Sequence, residues 1–404
     1  MTDIGPIFRA LLQNKLGTLL IALQIALTLA IVTNAAFITQ QRAADIARPT
    51  GLDEPNTGII LTTIFDMQLD QMQMLRDDLE TLRTIPGVIA ATVVNSVPAS
   101  GSGWNDGLYV DAEQLSNESV NYGRFMVDEQ GLDTFGLELV AGRNFEPEDM
   151  VRFSMEENGI PGVLVVSQAL ADALFPDGDA LGKTVFNEVG GGQPMRIVGI
   201  YDHMQNAWPS SDRVDLTALV PVYMLFGGGM YTLRTEPGQL PRVLTEAEEL
   251  LSKNRSRIID YVRTFEEQKR RTYSGDIAMI KLLGSVIAVL SVITGLGIVG
   301  LAWFSVTQRR KQIGTRRALG ATRWDIVRYF MVEIGLISMT GLFIGMIGTI
   351  ALNWFLDTSY EVGRMPLWYL PVGTAALWLL GQLAVLVPAR RAAKIPPALA
   401  TRSV

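Results

Sequence analysis

Cysteine is absent from this chain of 404 residues, and His203 is its single histidine. Without thiols there is no disulfide framework, no iron–sulfur cluster and no Cys-based zinc site. One imidazole leaves little material for a His-dependent mechanism. Charge is scarce too, at 19% of residues against 48% hydrophobic, and the mean hydropathy of +0.24 argues against a purely soluble protein. Four stretches, residues 16–41, 282–308, 334–356 and 365–389, hold no Asp, Glu, Lys or Arg. Each exceeds the roughly 20 residues that a helix needs to cross a bilayer core. The first is far longer than the ~15-residue apolar region of a cleaved signal peptide, so it reads as an uncleaved anchor. The sequence predicts an integral membrane protein with four transmembrane helices.

The charges that remain are unevenly placed. Residues 40–276 carry 19 Lys and Arg against 36 Asp and Glu, a balance of −17; the rest of the chain carries 15 against 5, a balance of +10. Nearly all of those 15 cations sit at Arg9 and Lys15, between Arg309 and Arg328, and at Arg390, Arg391, Lys394 and Arg402. The positive-inside rule places these three clusters, and both termini, in the cytoplasm. Residues 40–276 and the short loop 357–364 are then outside. No charge lies at mid-depth in a span, which disfavours proton relays and ion pathways.

The long outer segment reads as an α/β domain. Residues 58–63 are a β-branched run, Asp66 is a candidate helix N-cap, and Leu69, Met72, Leu75, Leu79 and Leu82 recur at helical spacing. Pro86 and Gly87 end that helix, and residues 88–97 form the next strand. From about 99 to 209 the texture changes to Gly-rich, short strand-like runs, including 162–167 and 195–201, with a short helix at 168–175. Strands at 218–225 and 230–235 and an amphipathic helix from Leu240 to Leu251 follow. The simplest arrangement is an α/β subdomain, residues 42–98 and 210–263, with a β-rich subdomain, 99–209, inserted in its middle. Thr264 and Glu267 have capping-box spacing. A helix beginning there is expected to run through the stalk 264–281 into the second span, a rod of roughly 45 residues and about 65 Å. Gly295, Gly297 and Gly300, then Gly341, Gly345 and Gly348, suit close helix packing, within the bundle or between subunits.

Two motifs invite over-reading. The run GDALGKT from Gly178 to Thr184 has three residues between its glycines where a phosphate-binding loop needs four, so it reads as a turn. His203 among scattered carboxylates lacks the ordered spacing of a metal site. There is no nucleophile elbow and no zinc-protease helix, and no catalytic or cofactor-binding residue is expected.

The informative segment is RRKQIGTRRALGATRWDI, Arg309 to Ile326. Its bland reading is a basic juxtamembrane loop held by anionic headgroups of the membrane lipids, with Arg309 facing them. Ile313, Ala318 and Leu319 among the charges, bracketed by Gly314 and Gly320, suggest instead an amphipathic docking helix. The segment resembles the cytoplasmic coupling element of the MacB/FtsX family of ABC-transporter permeases, roughly E-R-x-x-E-I-G-x-x-R-A-L-G-A. Ile313, Gly314, Arg317, Ala318, Leu319, Gly320 and Ala321 match it, and Gln312 stands where Glu is usual. Residues 135–145, FGLELVAGRNF, are similar to the family's G-x-x-L-x-x-G-R-x-F. Residues 163–200, including VLVVSQALADALFPDGDALGKTV and RIVGI, resemble its next strand–helix–strand segment. The ending PARRAAKIPPALATR resembles the tail P-A-x-x-A-A-x-x-x-P-x-x-A-L, with Thr401 for the final Leu.

The resemblance implies a permease whose outer domain has a Porter-like α/β part and an inserted Sabre-like part. Gln312, Ile313, Gly314, Arg316, Arg317, Ala318, Leu319 and Gly320 are the expected ATPase-coupling residues. About 15 residues precede the first span and no Walker motif occurs, so ATP and Mg are expected on a separate ABC ATPase dimer. The expected partners are those ATPases, a second permease (identical or paralogous), and a periplasmic adaptor with an outer-membrane channel; no nucleic acid is expected. The implied activity is mechanotransmission by a permease of the inner membrane, with no substrate passing through its spans, driving export of periplasmic peptides or amphiphilic antibiotics. A lipoprotein-releasing permease and a regulator of cell-wall hydrolases are the alternatives.

Overall fold

The computed structural model describes residues 15–66, 70–111, 119–154, 159–188, 191–209, 211, 213–225 and 227–396. The chain forms two compact units, Asp45–Ser274 and Met1–Ala44 with Gly275–Val404. It enters on helix α1 (Lys15–Ala47), builds the first of these units, then completes the second.

The Asp45–Ser274 unit begins with β1 (Thr57–Ile64), helix α2 (Gln71–Thr84) and β2 (Val88–Val94). Asp70, and not Asp66, is the N-cap of α2: its carboxylate accepts the Gln73 N–H at 3.0 Å. Leu69 of the expected apolar stripe lies outside the described residues. The others, Met72, Leu75, Leu79 and Leu82, are buried. The barrel part takes β3 (Trp104–Tyr109), β4 (Val120–Val127), α3 (Gly131–Phe135), β5 (Leu139–Gly142), β6 (Val151–Ser154), β7 (Val163–Ser167), α4 (Gln168–Leu174), β8 (Thr184–Asn187) and β9 (Gln193–Tyr201), and also β10 (Thr217–Leu225), which lies beyond the expected insertion boundary at 209. The chain returns through β11 (Gly228–Thr235), α5 (Leu240–Ser252), β12 (Arg257–Thr264) and α6 (Phe265–Thr272).

Two sheets result. In the first, antiparallel neighbours run β12-β1-β11-β2, and α2 and α5 cover one face through Leu75, Leu79, Val243 and Ala247. Its buried ion pair, Arg257 to Asp78, is completed by the Tyr231 hydroxyl, which donates to the same carboxylate at 2.5 Å. In the second, the order β4-β3-β8-β9-β7-β10 is closed by a parallel pairing of β10 with β4. The β-rich insertion is thus a six-stranded barrel, with β6 and β5 attached to it at β10 and β9. Closure leaves the barrel strands without an open edge. A shared core of Ile59, Val94, Phe125, Phe135, Leu219 and Phe265 joins sheet and barrel. The segment from Gly178 to Lys183 is the turn between α4 and β8: Gly178 and Gly182 take φ of 85° and 81°.

The expected stalk rod is two helices. Thr264 and Glu267 form the capping box of α6, as their spacing suggests. At Tyr273, φ −84° and ψ 10°, the helix stops, and α7 (Ser274–Gln308) starts at the next residue. The cause is the Tyr273 side chain, which is 1% exposed. Its hydroxyl donates to the Asp45 carbonyl at 3.2 Å and accepts from Gln205 at 3.2 Å, while Lys269 pairs with Glu54 at 2.9 Å.

The other unit adds α8 (Arg310–Ala318), α9 (Arg323–Tyr360) and α10 (Tyr369–Ala392). Among the described residues, α1 from Gly17, α7, α9 and α10 are long and apolar enough to cross a membrane. Helix α9 overruns its charge-free stretch and includes Arg323, Asp325, Arg328 and Glu333, whereas α10 starts four residues inside its own. A core of Ile25, Leu29, Ile298, Ile337, Leu377 and Val385 joins all four. Polar groups bind across it: Thr28 to Thr294 at 2.8 Å, and Asn34 to the Thr349 carbonyl at 3.1 Å. At Gly341 and Gly345 a Cβ atom would come within 2.6 Å of the Ala22 carbonyl oxygen and 2.9 Å of the Ala26 Cα. These third-span glycines therefore serve packing inside the bundle, whereas nothing lies within 4 Å of the same position at Gly300.

Candidate coupling site

The eight expected coupling residues all fall on α8 and the turn that ends it. Arg309 separates α7 from α8 with φ −106° and ψ 18°. Gly314 does not bracket the helix but lies within it. The end is at Gly320, whose φ of +99° is a conformation that only glycine adopts without strain. The Gly320 N–H donates to the Arg317 carbonyl at 3.2 Å and the Ala321 N–H to that of Arg316 at 3.0 Å. That pair of bonds is a Schellman cap. Two residues later Thr322 and Asp325 form a capping box that starts α9. The Ala-Leu-Gly-Ala-Thr run is therefore a helix stop followed directly by a helix start.

The faces of α8 divide the candidates. Ile313, 5% exposed, and Gly314 are buried. Ile313 packs with Val306 of α7, Ile326 and Phe330 of α9, and Ala389 and Ala392 of α10. It fastens α8 to the bundle, so the expectation that it lies in a partner's groove does not hold. Arg317 is half-buried and donates to the Ala321 carbonyl at 3.2 Å. Gln312, Arg316 and Ala318 are exposed, and Leu319 is 82% exposed. Trp324, 64% exposed in the first turn of α9, is another large apolar side chain of the segment that the motif did not single out.

Arg309 is not a lipid-facing charge. Its guanidinium donates to Glu333 and to the Tyr329 hydroxyl, each at 3.0 Å, and Glu333 is 3% exposed. Arg316 stacks over the Tyr329 ring at 4.7 Å. Tyr329 and Glu333 were not legible as partners, because a pairing across 24 positions leaves no periodic trace in the sequence. The result is a short helix tied to α7, α9 and α10 by apolar packing and one buried ion pair, with an apolar tip exposed. Among the described residues no group of three or more His, Cys, Asp or Glu is placed to hold a metal ion.

Residues 17–250 match the MacB-like periplasmic core domain, and residues 284–397 match the FtsX-like permease C-terminal domain. Similar proteins include the macrolide export ATP-binding/permease protein MacB of Neisseria gonorrhoeae, 29% identical over 236 residues, 57% of this chain and 35% of that one. The protein of the same name from Chromobacterium violaceum is 23% identical over 415 residues, 98% of this chain and 61% of its own length. The chain thus spans between about a third and three-fifths of these relatives. The crystal structure of the periplasmic region of MacB from Actinobacillus actinomycetemcomitans is 17% identical, covers 55% of this chain and 94% of that one, and has a TM-score of 0.34. With two matched regions occupying most of its length, a periplasmic domain with a barrel subdomain and four membrane-spanning helices, this chain belongs to the MacB/FtsX-like permease family.

Proposed function

We propose that this chain is the permease of a MacB-like ABC transporter and that α8 is the element through which an ATPase subunit acts on it. The carrying observation is the construction of α8: an 82%-exposed leucine at its tip and a base held by Ile313 and the Arg309–Glu333 pair. A push on Leu319 and its exposed neighbours is then shared at once by α7, α9 and α10. Helix α7 runs without interruption from Gln308 back to Ser274, where the outer domain ends, and would carry the motion outward. Both termini lie in the cytoplasm on this reading. ATP and Mg bind the ATPase subunits, and a second permease, with an adaptor and an outer-membrane channel, completes the assembly. The cargo class we assign is peptides or amphiphilic antibiotics, in keeping with relatives named for macrolide export. The test is purification of a tagged chain from its own membranes with partners identified by mass spectrometry. An ABC ATPase and a periplasmic adaptor are expected; a cell-wall hydrolase or a lipoprotein chaperone in their place would overturn the export reading.

A further inference from the structure

The outer domain contains a cleft of about 710 Å³ that the coupling mechanism does not use. One wall is α2, with Met72, Arg76, Leu79 and Arg83; the other belongs to the barrel part, with Pro147, Met150, Arg152 and Tyr223. Volumes of this order, at the junction of two subdomains, are typical of small-molecule sites. The floor is apolar: Leu79 is 2% exposed, and Met72 and Tyr223 are buried beside it. Unbranched methionines on both walls suit ligands of variable shape.

The polar groups separate into those already engaged and those free to bind. Arg83 donates to Asp128 at 2.6 Å and to the Ala91 carbonyl at 2.8 Å. Glu129 accepts the Tyr223 hydroxyl at 3.0 Å and lies 3.9 Å from Arg83, so its charge is compensated. Arg76 and Arg152, by contrast, are exposed, line the same cleft from opposite walls, and make no ion pair with any described residue. Glu80, one turn beyond Arg76, is exposed on the rim. We infer that the cleft binds small amphiphilic carboxylates, with the apolar body on Met72, Leu79, Met150 and Tyr223 and the carboxylate between Arg76 and Arg152. Guanidinium groups are suited to this, because each presents two parallel N–H donors to a carboxylate. A ligand held from both walls would also tie the α/β part to the barrel. The inference rests on the outer domain alone and stands or falls independently of ATPase docking.

The test uses the full chain in nanodiscs, titrated with dansyl-phenylalanine and followed by fluorescence, with empty nanodiscs subtracted. Saturable binding is expected, with the uncharged amide of the probe and the cationic dansylcadaverine at least about tenfold weaker. The Arg76→Gln/Arg152→Gln double variant should also lose about tenfold in affinity, while Glu80→Gln should tighten binding by removing a like charge from the rim. Displacement by acetyl-Phe-Leu identifies a peptidic ligand and displacement by octanoate an acyl one; either supports the site. The inference is overturned by absence of saturable binding, by equal binding of carboxylate and amide, by preference for the cationic probe, by displacement with neither competitor, or by an unchanged double variant.

Discussion

The Arg309–Glu333 pair offers a quantitative check on how α8 is held. The side chains of Arg309 and Glu333 are 17% and 4% exposed and meet at 3.0 Å, so both charges have given up most of their water. Arg309→Gln would leave the Glu333 carboxylate buried without its cation, which costs on the order of 3–5 kcal/mol in comparable buried pairs. Glu333→Gln should cost less, about 1–3 kcal/mol, because the long arginine stem can carry its charge toward the membrane surface. Arg309→Gln with Glu333→Gln removes both charges together, so the double variant should lie within about 1–2 kcal/mol of the parent. The assay is a double-mutant cycle on equilibrium unfolding in mixed micelles, read by tryptophan fluorescence. A coupling energy of about 2 kcal/mol or more is expected. If Arg309→Gln proved as stable as the parent and the cycle additive, Arg309 would be a lipid-facing charge and α8 would lack this anchor.

Three further outcomes follow from other parts of the structure. Gly341→Leu should destabilise the bundle by at least about 2 kcal/mol, because a side chain there meets the α1 backbone, whereas Gly300→Leu should be tolerated; thermal midpoints of the purified variants compare them. In the outer domain, burial pushes the Asp128 carboxyl from an ordinary 3.8 up to about 6 despite the pull of Arg83, and the hydrogen bond from Arg143 holds Asp149 below the usual range. The Asp128 contribution is therefore full below about pH 4 and lost as pH rises through about 6, while the Asp149 contribution is present above about pH 4 and lost on acidification. The stability differences of Asp128→Asn and Asp149→Asn from the parent should thus change with pH in opposite directions, measured by chemical denaturation; slopes of equal sign would contradict this. Because the chain has no native cysteine, Asp172→Cys should react with an impermeant thiol reagent in spheroplasts and Lys394→Cys should be protected, and the reverse would invert the topology.

The membrane spans were legible because crossing a bilayer excludes charge from a run of fixed length, and each of the four runs lies within or nearly within a helix. The ends were not, because helices continue past the charge-free runs, as α9 does from Arg323 to Glu333, whose carboxylate is buried against Arg309. In the outer domain the apolar strands ending at Ser167 and Tyr201 matched the structure to within two residues at either end, while the strand expected over 88–97 stops at Val94. The polar strand β3, WNDGLY, and the edge strand β12 were missed. Closure of the barrel depends on register between Val120–Val127 and Thr217–Leu225, about ninety positions apart, which no local pattern records. At the coupling segment the motif located the right residues but could not assign them to faces. Ile313 and Gly320 are matched to the family pattern, yet one fastens the helix and the other ends it, and of the eight Gln312, Arg316, Ala318, Leu319 and Gly320 are exposed while Ile313 and Gly314 are buried.

The central claim is that the exposed tip of α8 receives the ATPase. Leu319→Asp tests it most directly, since at 82% exposure the substitution should change stability by no more than about 0.5 kcal/mol. In an ATPase groove, however, the same carboxylate would be stripped of water without a partner. The measurement is recovery of the ATPase on the tagged permease, with transport-linked ATP turnover of the reconstituted complex. Loss of both, at an unchanged thermal midpoint of the permease, is the predicted result; normal assembly and turnover with Asp at position 319 would contradict the account.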